Sequence, residues 1–371
     1  MRRIILLAGL VTAMVYSASS QSKKAISVKP DSVIRIMKRV ADWQWNNLET
    51  NGWKWPKTDW TNGAMYAGMM AISEVAKETA YHQKLKQVGA DCNWNTGPRR
   101  FFADDYCIGQ MYSQMYSIYH DPVMIQKFRL LADSIVQNPH NESLEWVKKI
   151  HLREWAWCDA LFMGPPALAY LSTATGDQKY LETASKLWWK STDYLFDKEE
   201  HLFYRDSRFF DQREKNGKKL FWSRGNGWVM GGLVRMLTNM PENFKDKKRF
   251  EKLFKEMSYK IATLQTADGT WHASLLDPDS YPAKETSGTG FFIYALSWGV
   301  NEGLLPKKHF MPVINKGWNA MMDCVQPDGK LGFVQIPAAE PGKATANDTE
   351  TYGTGAFLLA GSEVYKLAKK R

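Results

Sequence analysis

The residue of this chain best placed to do chemistry is Asp159, in the run HLREWAWCDALFMGPPALA from His151 to Ala169. Trp155, Trp157, Leu161, Phe162 and Met163 leave it little polar company. A lone carboxyl in apolar surroundings tends to hold its proton, because burial disfavours the charged form. A carboxylic acid still protonated near neutral pH is what general acid catalysis needs. The competing reading is local, since Asp is favoured where a helix begins and Pro165–Pro166 disturbs that helix a turn later.

Further polar residues recur in the same kind of place, at the end of a loop and the start of an apolar run. Asp59, Trp60 and Asn62 form one group, with Asp59 read as a helix cap. Asp104 and Asp105 form a second. If one of them faces the pocket, it becomes the second acid of a pair in which each carboxyl raises the other. Tyr204, Arg205 and Asp206 precede FWSRGNGW, where Trp222, Arg224, Asn226 and Trp228 cluster. Arg224 can fork onto a carboxylate, the tryptophans can stack on sugar rings, and Gly225 and Gly227 allow close backbone approach. The alternative there is a tight turn with a structural ion pair. Ser287 and Thr289 in ETSGTG either donate to a substrate or pack an inner helix.

These residues need a scaffold with one face built from loops. Helical periodicity dominates, and no stretch makes a persuasive run of alternating strands. Twelve helices are expected, at 31–48, 61–77, 79–95, 104–119, 121–138, 153–174, 177–195, 225–239, 245–264, 286–302, 307–325 and 352–369. Connections near 78, 120, 175, 242 and 305 are short, whereas 49–60, 96–103, 139–152, 196–224, 265–285 and 326–351 are long. In a ring of helical hairpins this alternation puts every long loop at one end, where a site would be built.

A weak repeat supports the ring. Segments starting at Asp59, Asp104, Glu154, Ser223, Glu285 and Asp348 each lead from polar residues into small and apolar ones. Such helices are buried all round. Their partners, such as IQKFRLLADSIVQN and FEKLFKEMSYKIATL, are amphipathic and Lys-rich and suit an outer layer. Six inner and six outer helices make an all-α, single-domain (α/α)6 barrel spanning residues 21–371. The inner N-termini bring six positive helix-dipole ends towards one cavity, a seat for an anion such as a uronate.

The rest of the 371-residue chain narrows the function classes. MRRIILLAGLVTAMVYSASS reads as a secretory signal peptide over residues 1–20, with Arg2 and Arg3 leading the apolar Ile4–Val15 and cleavage near Ser20. The mature protein is therefore expected to be exported to the periplasm, with no membrane span. The leader's two arginines bring the formal charge from +10 to +8, carried without a basic stripe, so nucleic acid is not an expected partner. Cys92, Cys107, Cys158 and Cys324 lack metal-site spacing, and export permits disulfides although each lies in an apolar helical context. No phosphate loop, dinucleotide fingerprint or HExxH occurs.

WAWCDALFMGPPALAYLSTATGDQKY, FWSRGNGWVMGGLVRML and ETSGTGFFIYALSWGV followed by EGLL together resemble the unsaturated glucuronyl and rhamnogalacturonyl hydrolases, glycoside hydrolase families 88 and 105. The likeness runs from about Asp59 to Tyr365 and looks closer to the rhamnogalacturonyl branch. It implies an (α/α)6 barrel acting on lyase-generated oligosaccharides that end in a 4,5-unsaturated uronic acid. Such enzymes hydrate the double bond: an Asp protonates C4, water adds at C5, and the hemiketal collapses to release the remaining chain. By this resemblance the acid is Asp159 and the second carboxylate Asp104, with Trp222 and Arg224 lining the site, and no metal or cofactor is implied. Asp105, Trp60, Trp157, Arg205, Trp228 and Ser287 complete the expected substrate contacts. Many relatives carry a His before RGNGW where this chain reads FYRDSRF, with Arg205 and Asp206. The expected partner is an acidic oligosaccharide, and the expected assembly a monomer or weak homodimer. The competing functions are an inverting glycosidase or polysaccharide lyase on the same barrel, or a non-catalytic glycan-binding protein.

Overall fold

The computed structural model describes residues 29–370, and the expected signal peptide lies outside them. Twelve helices follow one another: α1 (Pro30–Asn51), α2 (Trp60–Ala76), α3 (Thr79–Asp91), α4 (Gly109–Tyr119), α5 (Val123–Val136) and α6 (Ala160–Thr175). The second half holds α7 (Gln178–Leu195), α8 (Ser223–Thr238), α9 (Lys247–Thr263), α10 (Thr286–Asn301), α11 (Lys307–Met322) and α12 (Thr351–Lys369). The even-numbered helices close a ring, α2 on α4, α4 on α6, then α8, α10, α12 and back to α2. Each odd-numbered helix packs outside its neighbour, giving the expected (α/α)6 barrel. Every residue of α10 from Thr286 to Gly299 is buried, as expected of an inner helix. Outer α1 buries only Val33, Met37, Val40, Ala41, Gln44, Trp45 and Leu48, the three-and-four spacing of a one-sided helix.

Small residues decide how tightly the ring closes. At the seam between α2 and α12, Gly68 and Gly355 lie against each other, and a Cβ on Gly68 would meet the Gly355 carbonyl at 2.6 Å. A Cβ on Gly355 would overlap the Ala64 carbonyl. Gly355→Ala is therefore expected to cost about 1–3 kcal/mol, because two backbones must part to admit one methyl. Thermal unfolding measures this, and an unchanged melting temperature would contradict the contact.

Two helix starts differ from the sequence reading. The helix expected at 153–174 begins only at Ala160. Ahead of it Trp155 has φ 47°, outside the helical range, and the Cys158 N–H donates to the Arg205 carbonyl at 2.8 Å. A long-range bond thus holds 153–159 as a loop that no local pattern encodes. The helix expected from 104 opens as a 3-10 turn over Ala103–Tyr106 before α4 starts at Gly109. Pro165 and Pro166 sit inside α6. Pro166 has no N–H for the Phe162 carbonyl, which accepts from Gln110 Nε2 of α4 at 2.8 Å instead. A two-residue strand pair, Phe196–Asp197 with Leu202–Phe203, is the exception to the all-helical expectation. Cys92, Cys107, Cys158 and Cys324 are free thiols. Among the described residues no helix is long and apolar enough to cross a membrane.

Candidate active site

The long loops gather at the N-terminal end of the inner helices, and there the acids meet. Asp59 caps α2 as expected, accepting from the Thr61 N–H at 2.9 Å and the Thr61 hydroxyl at 2.8 Å. Asp159 stands at the start of α6, but its side chain makes no capping bond. It is thus free for other work, and the cap reading does not hold for it. Its Oδ2 faces Arg205 Nε at 3.6 Å and accepts weakly from the Cys158 thiol at 3.5 Å. The Asp159 side chain is 13% exposed, so it still reaches solvent.

Burial pushes the Asp159 carboxyl up, while the cationic Arg205 and Arg224 hold it back. Asp104 is pushed up much further, by burial first and then by the negative charges of Asp159 and Asp59, with Arg205 only partly opposing. Two carboxyls that feel each other in a dry site share a proton, and the values belong to the pair. Both carboxyls are thus pushed towards their protonated forms.

Arg205 is the cation at the centre. Its Nη1 donates to Asp206 at 2.6 Å, and its guanidinium lies 5.1 Å from the Trp146 ring. Arg208 grips the same Asp206 through Nε and Nη2, both at 2.9 Å, and stacks on Trp146 at 3.6 Å. Asp206 is fully buried and anchors both arginines below the loop that carries Trp146. Sequence reasoning missed Trp146, which lies in a loop without any motif.

A cleft of about 160 Å³ runs beside Asp104, walled by Trp60, Asp59, Thr58, Gly97, Arg99 and Phe102. Arg99 and Phe102 were also missed, although GPRRFF just before Asp104 is a signal of the right kind.

Six expected substrate contacts turn out to be structural or set behind the cleft. Asp105 borders the cleft, but it is buried and its carboxyl is already paired bidentately with Arg99. Trp157 is buried behind Phe102, ring centroids 5.7 Å apart. Trp228 is a core plug, packed on Phe291 at 4.4 Å and Phe162 at 4.9 Å. Ser287 is fully buried and donates to Glu285, which caps α10. Arg224 is fully buried and forks onto main-chain carbonyls, Nη1 to Gln335 at 2.7 Å and Nη2 to Ile336 at 3.1 Å. Trp222 lies 4.3 Å from that guanidinium and donates Nε1 to Gln335 Oε1 at 3.0 Å. Arg224 thus acts on Asp159 through its charge while latching the 333–336 loop. Trp60 keeps its place on the cleft wall.

A closed ring of helical hairpins with a carboxyl pair and aromatic walls at its loop end is the scaffold of a glycoside hydrolase. The sequence profile of Glycosyl Hydrolase Family 88 matches residues 33–368, and the chain belongs to that family. It is 41% identical over 326 residues to an unsaturated 3S-rhamnoglycuronyl hydrolase of Formosa agariphila, covering 84% of this chain and 85% of that one. An unsaturated 3S-rhamnoglycuronyl hydrolase of Alteromonas sp. strain LOR is 34% identical over 378 residues, covering 94% and 92%. A solved structure described as a polysaccharide lyase superposes with a TM-score of 0.84 at 29% identity, over 92% of this chain and 99% of that one.

Proposed function

We propose that this family-88 enzyme removes a terminal 4,5-unsaturated uronic acid from lyase-generated oligosaccharides by hydrating the C4=C5 double bond, and that the next sugar is a 3-sulfated rhamnose. The observation that carries the chemistry is the pair of Asp104 and Asp159, both raised by burial, with one cation 3.6 Å from Asp159. The substrate's carboxylate competes for Arg205 and cancels the charge that holds Asp159 down. Asp159 then takes up the shared proton and delivers it to C4. The cation left at C5 is stabilised by the ionised Asp104 and captured by water, whose proton returns to the pair. The hemiketal opens to a C5 ketone and the chain leaves from C1. The identity of the next sugar is drawn from the two relatives above. The lyase reading has the structural likeness at 29% identity in its favour, and the direction of the absorbance change separates the two. Purified protein incubated with an unsaturated uronyl–rhamnose 3-sulfate disaccharide is expected to lose the ultraviolet absorbance of the conjugated double bond. A rise in absorbance on intact polysaccharide would favour the lyase. We further propose export to the periplasm, on the leader sequence alone.

Asp104→Asn separates activity from stability. The folded protein binds the Asp104 proton more tightly than the unfolded chain does, so ionisation opposes folding. Stability on this account falls as pH rises from the ordinary Asp value of 3.8 towards the raised folded value. An amide has no such cost. Asp104→Asn is therefore expected to be inactive yet about 1–2 kcal/mol more stable at neutral pH, the gain fading below about pH 4. Thermal melts at the two pH values check the sign.

A further inference from the structure

The cleft contains a cation whose arrangement exceeds what a structural ion pair requires. Asp105 is buried and collects three bonds from one residue: the Arg99 backbone N–H at 2.8 Å, Nε at 2.9 Å and Nη2 at 2.6 Å. The carboxyl fits only because position 97 is glycine, where a Cβ would overlap it. The guanidinium also lies over Phe102, 4.0 Å from the ring centre. Two of its five N–H groups serve Asp105, which leaves three, including both on Nη1. The two partners are buried unequally, Asp105 being 6% exposed and Arg99 49%. The buried acid fixes the arginine, and the arginine lines the cleft that Asp104 also lines.

A guanidinium fixed on both its face and one edge loses little freedom on binding and presents a planar fork. That fork suits an anion with several equatorial oxygens. We infer that Arg99 reads the sulfate ester on the sugar next to the unsaturated uronate, and so sets the enzyme's preference for a sulfated neighbour. The inference rests on the proposed activity. Asp104, which places the reacting ring on the proposed mechanism, and Arg99, which lies over Phe102, line the same cleft. Asp105 holds the cation from the buried side, and Asp104 and Asp59 add negative charge near it, so an anion bound there takes the free donors of the guanidinium.

The test uses two substrates, the unsaturated uronyl–rhamnose 3-sulfate disaccharide and its desulfated counterpart, each followed by absorbance loss. Arg99→Lys keeps a charge for Asp105, and Arg99→Ala removes it; melting temperatures accompany both. The wild type is expected to favour the sulfated disaccharide. Both variants are expected to raise its KM by about tenfold or more, the loss that follows from removing a charge-assisted hydrogen bond. Their kcat should stay near wild type, and their KM for the desulfated disaccharide should change by less than about twofold. Equal losses on both substrates would overturn the inference, because Arg99 would then be reading the uronate carboxylate or merely supporting Asp105. No loss on either substrate would overturn it as well, as would a wild type indifferent to the sulfate. If Arg99→Ala fails to fold, the Arg99→Lys comparison decides alone. A wild type inert on every unsaturated disaccharide is a failure of the proposed activity, and is seen before any variant is made.

Discussion

Asp159→Asn is expected to fold and bind substrate normally while kcat falls by about 10²–10⁴-fold, the usual worth of a positioned general acid. The substitution is nearly isosteric, and the carboxyl it replaces makes no capping bond and contributes nothing to the start of α6. The amide oxygen can still accept from Cys158, whose thiol lies 3.5 Å from the native Oδ2. What is lost is the proton that C4 must receive. The amide also removes a negative charge beside Asp104, whose carboxyl should then move back towards the ordinary range. KM should change far less than kcat, because the walls of the cleft are untouched. Circular dichroism and a thermal melt establish the fold, and absorbance loss measures turnover. Near-normal turnover would remove Asp159 from the mechanism.

Arg224→Ala is expected to be the most damaging single change to stability, at about 3–5 kcal/mol. The native side chain has no exposed surface, and its two bonds hold the carbonyls of Gln335 and Ile336. It fills the space between the Trp222 and Tyr352 rings, 4.3 and 5.1 Å from the guanidinium carbon. Truncation leaves a cavity and takes one donor from each of the two carbonyls. Tyr352 also donates its hydroxyl to the Gln335 carbonyl, so the 333–336 loop loses one of two fastenings at that point. A second consequence is electrostatic. Arg224 is one of the cations holding the Asp159 carboxyl down, so its loss lets Asp159 rise further. In the fraction that folds, the basic limb of the pH–rate profile should move to higher pH. Arg224→Lys should keep much of the charge but not both carbonyl bonds, placing it between wild type and Ala in melting temperature. Denaturant unfolding and a pH profile together separate the two effects.

Sequence alone carried the ring well, for a physical reason. Inner helices are buried on all sides, so ETSGTGFFIYALSWGV announces itself by lacking a polar stripe, and α10 begins at Thr286 as expected. Outer helices such as α9 show their Lys-rich face just as plainly. The start of α6 was hidden because the Cys158 N–H is spent on Arg205, forty-seven positions along the chain. The site was legible at its acids and less so at its cations. Arg224, framed by Trp and Gly, looks the same in a sequence whether it grips a substrate carboxylate or the carbonyls of a loop about a hundred residues away. Asp104 and Asp105 are neighbours on the same cleft, and what separates them is a 3-10 turn that hands the Asp105 carboxyl to Arg99 and not that of Asp104. Ser287 was drawn in by its motif, where the Glu285 cap accounts for its hydroxyl.

On the proposed mechanism the pair at Asp104 and Asp159 acts on a double bond and not directly on a glycosidic bond. The most direct test offers the enzyme an unsaturated uronyl disaccharide and the otherwise identical saturated one, and follows absorbance together with released reducing sugar. Only the unsaturated compound is expected to be consumed, with one chromophore lost for each sugar released. Comparable cleavage of the saturated compound, or release of sugar with the chromophore intact, would contradict it.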